Sequence, residues 1–211
     1  MGATPETPSG WQPLAARPAS GERVSFTASP FTRLARVQAL ASATDTLVAL
    51  SLAGSLFFSI PTGEARGRVA LYLLLTIAPF AIVGPLMGPA LDRMKGGRRL
   101  LVVATGASRV LVCLLMARHL DSLLLFPEAF AALVLTKAYA IARSALVPTV
   151  VASDEDLVQA NSKLSLLTGV ASFVAAAPGA LLLRLAGAEW VLILAAIAAG
   201  AQALVALKLP A

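Results

Sequence analysis

Residues 84–101 read Gly-Pro-Leu-Met-Gly-Pro-Ala-Leu-Asp-Arg-Met-Lys-Gly-Gly-Arg-Arg-Leu-Leu, a dense cluster of charge between two long apolar segments. The segments at 69–91 and 100–117 are each close to the roughly 20 residues that cross a bilayer as a helix. The charged residues between them therefore predict a tight turn between two membrane helices. Because Lys and Arg are concentrated in cytoplasmic loops, we expect this turn on the cytoplasmic side.

The composition of the whole chain supports a membrane protein. Hydrophobic residues make up 58% of it, charged residues 13%, and the mean hydropathy is +0.82. A soluble domain has about 25% charged residues. An open strand cannot satisfy its backbone in lipid, so the expected fold class is all-α and integral to the membrane. The single cysteine, Cys113, excludes an intrachain disulfide, and we expect no metal site and no cofactor.

Six apolar spans are predicted, at 37–60, 69–91, 100–117, 122–147, 164–185 and 190–207. Residues 1–32 are rich in proline and contain no apolar run, which predicts a disordered cytoplasmic tail before a bundle at 33–211. Of the 17 Lys and Arg residues, Arg109 and Lys137 lie inside spans and four lie on predicted outer loops, namely Arg66, Arg68, Arg118 and Arg184. The remainder lie on inner segments, so both termini are expected in the cytoplasm of a multi-pass plasma (inner) membrane protein. The net charge of +6 is explained by these loops, and no nucleic-acid partner is expected.

Three charged residues fall within predicted spans: Asp45, Arg109 and Lys137. A charge at the centre of a span costs roughly 2.5–3.5 kcal/mol on insertion scales, so such residues usually face the bundle interior and find partners. Asp45 and Arg109 are the expected pair. The pair could simply satisfy its two members, or Asp45 could carry a proton while Arg109 or Lys137 contacts a substrate. The three residues are therefore the candidates for coupling or substrate binding.

The loop at 88–99 combines features that each have a physical role. Gly88 allows close helix approach, Asp92 follows one helical turn later, and Gly96 and Gly97 permit a sharp turn. The pattern Gly-x-x-x-Asp-Arg followed by paired Arg resembles motif A, the loop between helices 2 and 3 of the major facilitator superfamily of transporters. The resemblance implies that this loop is a cytoplasmic latch that stabilises one access state, formed by Gly88, Asp92, Arg93, Arg98 and Arg99.

The resemblance extends over residues 33–207 and implies the N-terminal six-helix half of that fold, an inverted 3+3 repeat. Asp45 and Arg109 match the first and third helices of the branch that exports drugs and siderophores. Residues 142–148 and 160–161, Ala-Arg-Ser-Ala-Leu-Val-Pro and Ala-Asn, are similar to its passage from helix 4 to helix 5. The fifth span departs from the antiporter pattern, because it reads Ala-Pro-Gly-Ala at 177–180 where antiporters often have Gly-Pro and then a Gly pair.

The expected function is transport of small, amphipathic solutes through a hydrophobic cavity, as an exporter driven by an ion gradient. Since the superfamily has about twelve helices in two halves, three interpretations stay open. The chain is a truncated fragment, it pairs with a second six-helix half, or it forms a homodimer through the small-residue face at 195–203. A membrane scaffold or interaction protein is the alternative outside transport. No enzyme is expected, because the sequence contains no HExxH, GxSxG or paired acid motif.

Overall fold

The described part of the chain is entirely helical. The computed structural model describes residues 30–58, 98–122, 124–149 and 154–209. Five helices occupy these ranges: α1 (Pro30–Phe58), α2 (Arg98–Arg118), α3 (Leu125–Leu146), α4 (Asp154–Ala186) and α5 (Ala188–Ala206), with a 3₁₀ turn at Val147–Thr149. They correspond to the predicted first, third, fourth, fifth and sixth spans. All five are long and apolar enough to cross a membrane, so the chain is a helical, membrane-embedded protein. The second predicted span, 69–91, lies outside the described residues.

Two helices begin earlier than their apolar runs. α1 begins at Pro30 and not at residue 37, and α4 begins at Asp154 and not at residue 164. Proline is tolerated in the first turn of a helix, where its missing N–H would have no partner, and acidic residues are favoured at a helix N-terminus. The apolar pattern marks the part of a helix that lies in lipid, and it does not mark where the helix starts. Residues 30–32 of the predicted tail at 1–32 belong to this helix, and the rest of the tail lies outside the described residues.

The last helix lies at the centre of the described bundle. α5 packs against both α1 and α2, while α1 also packs against α4 and α2 against α3. Ala195 and Ala199 of α5 are fully buried. A Cβ added to Gly106 of α2 would lie 3.2 Å from the backbone nitrogen of Ala203, so the two helices approach closely at this point. Ala195, Ala199 and Ala203, on the face at 195–203 that one of the three interpretations assigned to a homodimer contact, thus pack within this chain.

The connection between α4 and α5 is a single residue, Gly187. Its φ of +93° is a conformation that favours glycine, and its N–H donates to the carbonyl groups of Leu182 and Leu183 at 3.2 Å. Although this turn joins them, α4 packs mainly against α1 and makes fewer contacts with α5. Because α4 packs mainly against α1, one face of α4 lies beside the polar side chains of α1 that are described next.

Candidate functional site

The predicted pair of intramembrane charges is confirmed. Arg109 Nη2 lies 2.5 Å from Asp45 Oδ1, and the two residues lie midway along α2 and α1. The Arg109 side chain is 3% exposed, whereas the Asp45 side chain is 38% exposed. A guanidinium remains charged in proteins, so its burial here depends on the neighbouring carboxylate. The two partners are therefore unequal, because the cation is enclosed and the acid is accessible.

Arg109 also binds residues that the sequence analysis did not single out. Nη2 donates to Thr136 Oγ1 at 2.7 Å, and Nη1 donates to Gln202 Oε1 at 3.4 Å. The guanidinium carbon lies 5.6 Å from the centre of the Tyr139 ring, within the range of a cation–π contact. Arg109 thus links its own helix to α1, α3 and α5. A planar group with five N–H donors is suited to such a junction.

Thr136 completes the contacts of the Asp45 carboxylate. Its hydroxyl oxygen lies 2.9 Å from Asp45 Oδ1 and 3.0 Å from the carbonyl oxygen of Ala132. Thr136 and Arg109 both make their hydrogen bonds to Oδ1 and not to Oδ2. Lys137, the third predicted candidate, is half-buried, and its charge attracts the Asp45 carboxylate at longer range. A proton could therefore bind Asp45 without first displacing Arg109 or Thr136.

A second polar layer lies about two helical turns before Asp45 on α1. Tyr139 Oη donates to Gln38 Oε1 at 2.9 Å, and Gln38 Nε2 donates to Thr168 Oγ1 at 2.7 Å. This chain of hydrogen bonds joins α3, α1 and α4. Since α1 has only minor backbone contact with α3, polar side chains carry the connection between these two helices. Sequence reasoning missed the layer, because uncharged polar residues in a membrane helix give no strong signal.

The two polar layers open on a cleft of about 360 Å³ between α1, α3 and α4, called the polar cleft below. Its walls on α1 and α4 are formed by Gln38, Ser42, Asp45, Ser165, Thr168 and Ser172. Its wall on α3 is formed by Thr136, Tyr139, Ala140 and Arg143. Ala140 is the one purely apolar side chain in this set. Nine of the ten lining residues carry a polar group, but their carbon atoms supply more of the cleft surface than their polar atoms do, so the lining is mixed and the structure does not overturn the expected hydrophobic lining.

Apolar clusters lie on both sides of the ion pair. One contains Val37 and Ala41 of α1 with Val102 of α2, and another contains Leu47 of α1 with Cys113 of α2. The ion pair lies between these clusters along both helices. Water excluded by such clusters cannot replace a lost partner of Arg109.

Most of the predicted latch lies outside the described residues. This applies to Gly88, Asp92 and Arg93, so their role stays a prediction. Arg98 is the first residue of α2, and Arg99 in the same turn is half-buried. The structure therefore locates the helix that follows the loop, but it describes no contact between the loop and a neighbouring helix.

The sequence analysis also missed an acid–base pair that joins the C-terminal end of α2 to the first turn of α3. His119 Nδ1 lies 2.5 Å from Glu128 Oε1, across the short turn between the two helices. The His119 side chain is 33% exposed and the Glu128 side chain 13% exposed. No group of three or more His, Cys, Asp or Glu residues that could hold a metal ion occurs within the described ranges.

Comparison with known proteins identifies relatives but no function. A segment of 130 aligned residues is 42% identical to the uncharacterized protein ML2143 of Mycobacterium leprae (strain TN). The same identity is found with the uncharacterized protein Rv0876c of Mycobacterium tuberculosis (strain ATCC 25618 / H37Rv). The alignment covers 58% of this chain but only 22% and 23% of these two proteins, so the chain spans less than a quarter of either relative. No protein-family model matches the chain, and no solved structure matches it significantly.

Proposed function

We propose that this chain forms part of a transporter of the major facilitator type, which exports small solutes by using an ion gradient. The observation that carries the proposal is the Asp45–Arg109 pair at the middle of two membrane helices, open on one side to the polar cleft. Ionisable groups at this depth are expensive to insert and usually mark a path for ions or solutes. A scaffold would not need an accessible acid beside a cleft.

Asp45 is the coupling residue in this proposal. Its carboxylate accepts from Arg109 and Thr136 on one oxygen and is reached from the cleft on its exposed side. Protonation of Asp45 would weaken its attraction to Arg109 and loosen the junction between α1, α2 and α3. A proton bound from one side of the membrane would thereby change how these helices pack, which is what coupling requires.

The remaining features of the proposal rest on the sequence. The loop motif supports the latch at 88–99, the six-helix half, and its assembly with a second half or as a homodimer. The distribution of Lys and Arg supports a cytoplasmic location for both termini. The described helices are compatible with them, since five of the six predicted spans are present.

The test is solute-evoked proton movement in inside-out vesicles that contain the full chain and any chain that co-purifies with it. A pH-sensitive dye reports proton movement when solutes from a small library are added. We expect at least one solute to evoke a signal that Asp45→Asn abolishes and Asp45→Glu partly keeps. Asp121→Asn is the matched control, because Asp121 is exposed in the turn between α2 and α3.

The amount of folded protein is measured for each variant by its elution profile in detergent. If the wild-type chain gave no signal with any solute, or if Asp45→Asn gave the same signal as wild type, ion-coupled transport would lose its support. The scaffold alternative would then be preferred, and the mass of the native assembly would identify its partner.

A further inference from the structure

Arg143 is a second cation on the polar cleft. It lies one helical turn after Tyr139 on α3, so both side chains are on the same face of the helix. Its side chain is partly buried, and Nε is buried with no hydrogen-bond partner among the residues that the structure describes. A buried donor without a partner is costly, and Arg143 also forms part of the cleft lining, so its charged guanidinium group is available to a ligand there.

The charged groups at the cleft carry a net positive charge. The carboxylate of Asp45 is already neutralised by Arg109 at 2.5 Å. Arg143 therefore adds a positive charge to the lining beyond that pair. In a site partly shielded from water, an uncompensated guanidinium attracts anions and disfavours cations. Guanidinium groups bind carboxylate and phosphate oxygens in a bidentate geometry.

The hydroxyl groups of the cleft are arranged to accept hydrogen bonds. Ser42 donates its proton to the carbonyl oxygen of Gln38 at 2.9 Å, and Thr168 donates to that of Leu164 at 2.8 Å. The hydroxyl oxygens of Ser42 and Thr168 each also accept a hydrogen bond from Gln38 Nε2, and each keeps one further lone pair. A solute that carries hydroxyl groups can donate to these oxygens. The cleft volume of about 360 Å³ is near the lower end of the roughly 300–1,000 Å³ of small-molecule sites.

We infer that the polar cleft binds a small oxyanion that carries hydroxyl groups, with its carboxylate or phosphate on Arg143 and its hydroxyl groups on the serine and threonine oxygens. This inference rests on the proposed transport function, because it names the class of solute that the transporter carries. It narrows the expectation of an amphipathic solute, since the positive charge of Arg143 disfavours cations and the mixed lining has polar groups for the hydroxyl groups and apolar surface for the carbon skeleton.

The test is equilibrium binding to the purified full chain in lipid nanodiscs. Four probes are compared: gluconate as a hydroxylated carboxylate, glucose 6-phosphate as a hydroxylated phosphate ester, glucose as a neutral sugar, and ethidium as a lipophilic cation. We expect one or both anions to bind, and glucose and ethidium to bind at least tenfold more weakly. Which anion binds more tightly distinguishes a carboxylate from a phosphate ester.

Substitutions then locate the site. Arg143→Gln should weaken binding of the anion about 10- to 100-fold, because it removes a charge-assisted hydrogen bond, and Arg143→Lys should weaken it less. Arg36→Gln is the matched control, since Arg36 is exposed on α1 and does not line the cleft. Ala140→Trp should block binding by filling the cleft while it keeps every charge, and Ala140 is exposed enough to accept the larger side chain.

Equal anion affinity in wild type and Arg143→Gln would overturn the inference, and so would undiminished binding in Ala140→Trp or tighter binding of ethidium than of either anion. Failure of transport is a separate result. Arg143-dependent anion binding without solute-evoked proton movement would support the anion site and contradict the proposed transport function. Proton movement evoked by ethidium alone would support the proposed transport function and contradict the anion site.

Discussion

Two acid–base pairs in this protein have the same separation and very different surroundings. Asp45–Arg109 and His119–Glu128 are each 2.5 Å apart. The first joins two residues that are 64 positions apart, on α1 and α2, and it lies between two apolar clusters. The second joins residues nine positions apart at the turn between α2 and α3, and its histidine is 33% exposed.

The two pairs differ in how well the remaining side chain is solvated when its partner is removed. Arg109 is enclosed and keeps its charge, so it depends on Asp45. His119 lies at the end of the bundle and is 33% exposed, so water can solvate it, whereas Glu128 is 13% exposed and its Oε2 is buried with no hydrogen-bond partner among the described residues. Distance alone therefore does not measure what a pair contributes, and the cost of removing one partner depends on whether the other can be solvated or neutralised.

The largest effect is expected for Asp45→Leu. This change leaves the enclosed guanidinium of Arg109 without its carboxylate, and losing one partner of a buried pair costs about 3–5 kcal/mol. We expect a large fall in the thermal unfolding temperature and in the yield of folded protein. Arg109→Leu should be less destabilising, because Asp45 is exposed to the cleft and can take up a proton.

The double variant Asp45→Leu/Arg109→Leu is the control for this comparison. It removes both charges and leaves no ion unpaired, so it should be more stable than Asp45→Leu alone. Thermal unfolding of the three variants in the same detergent measures this difference. If the double variant were less stable than either single variant, the explanation by an unpaired buried charge would be wrong.

A smaller effect is expected for Tyr139→Phe, which removes the hydroxyl donor of the second polar layer. The loss of its hydrogen bond to Gln38 Oε1, at 2.9 Å, should cost about 1–3 kcal/mol, because Gln38 is buried and the bonds of its Nε2 to Ser42 and Thr168 leave Oε1 without a donor. Thermal unfolding checks this value. A loss above that range would mean that the ring and the hydroxyl act together on Arg109.

The smallest effect is expected for His119→Ala. The pair lies at a turn and its histidine is 33% exposed, so we expect a loss close to the roughly 0–1 kcal/mol of surface pairs, even though the Glu128 side chain is only 13% exposed. The unfolding temperature should therefore change little compared with that of Asp45→Leu. A loss as large as that of Asp45→Leu would show that the turn between α2 and α3 holds the bundle together as strongly as its centre, and would remove the contrast between the two pairs.

The sequence predicted the pairing of Asp45 with Arg109 because opposite charges at similar depth in a membrane have few other partners. It did not predict Thr136, Gln38 or Gln202, since their contacts depend on how each helix is rotated about its axis. The pair of His119 and Glu128 was missed for a related reason, because its geometry depends on the shape of a short turn. The early starts of α1 and α4 were missed because polar residues extend a helix beyond the lipid without any apolar pattern.

The sequence by itself determined that this is a helical membrane protein with charges inside its spans. Long apolar segments have one stable form in a bilayer, the helix, and the cost of burying a charge requires a partner for Asp45 and Arg109. The tertiary structure alone decided that α5 lies at the centre of the described helices, that α4 packs on α1, and that a cleft lined by nine polar residues opens beside Asp45. These features follow from close contacts such as Gly106 with Ala203. Packing of this kind depends on side-chain shape across helices that are distant in sequence, which hydropathy does not encode.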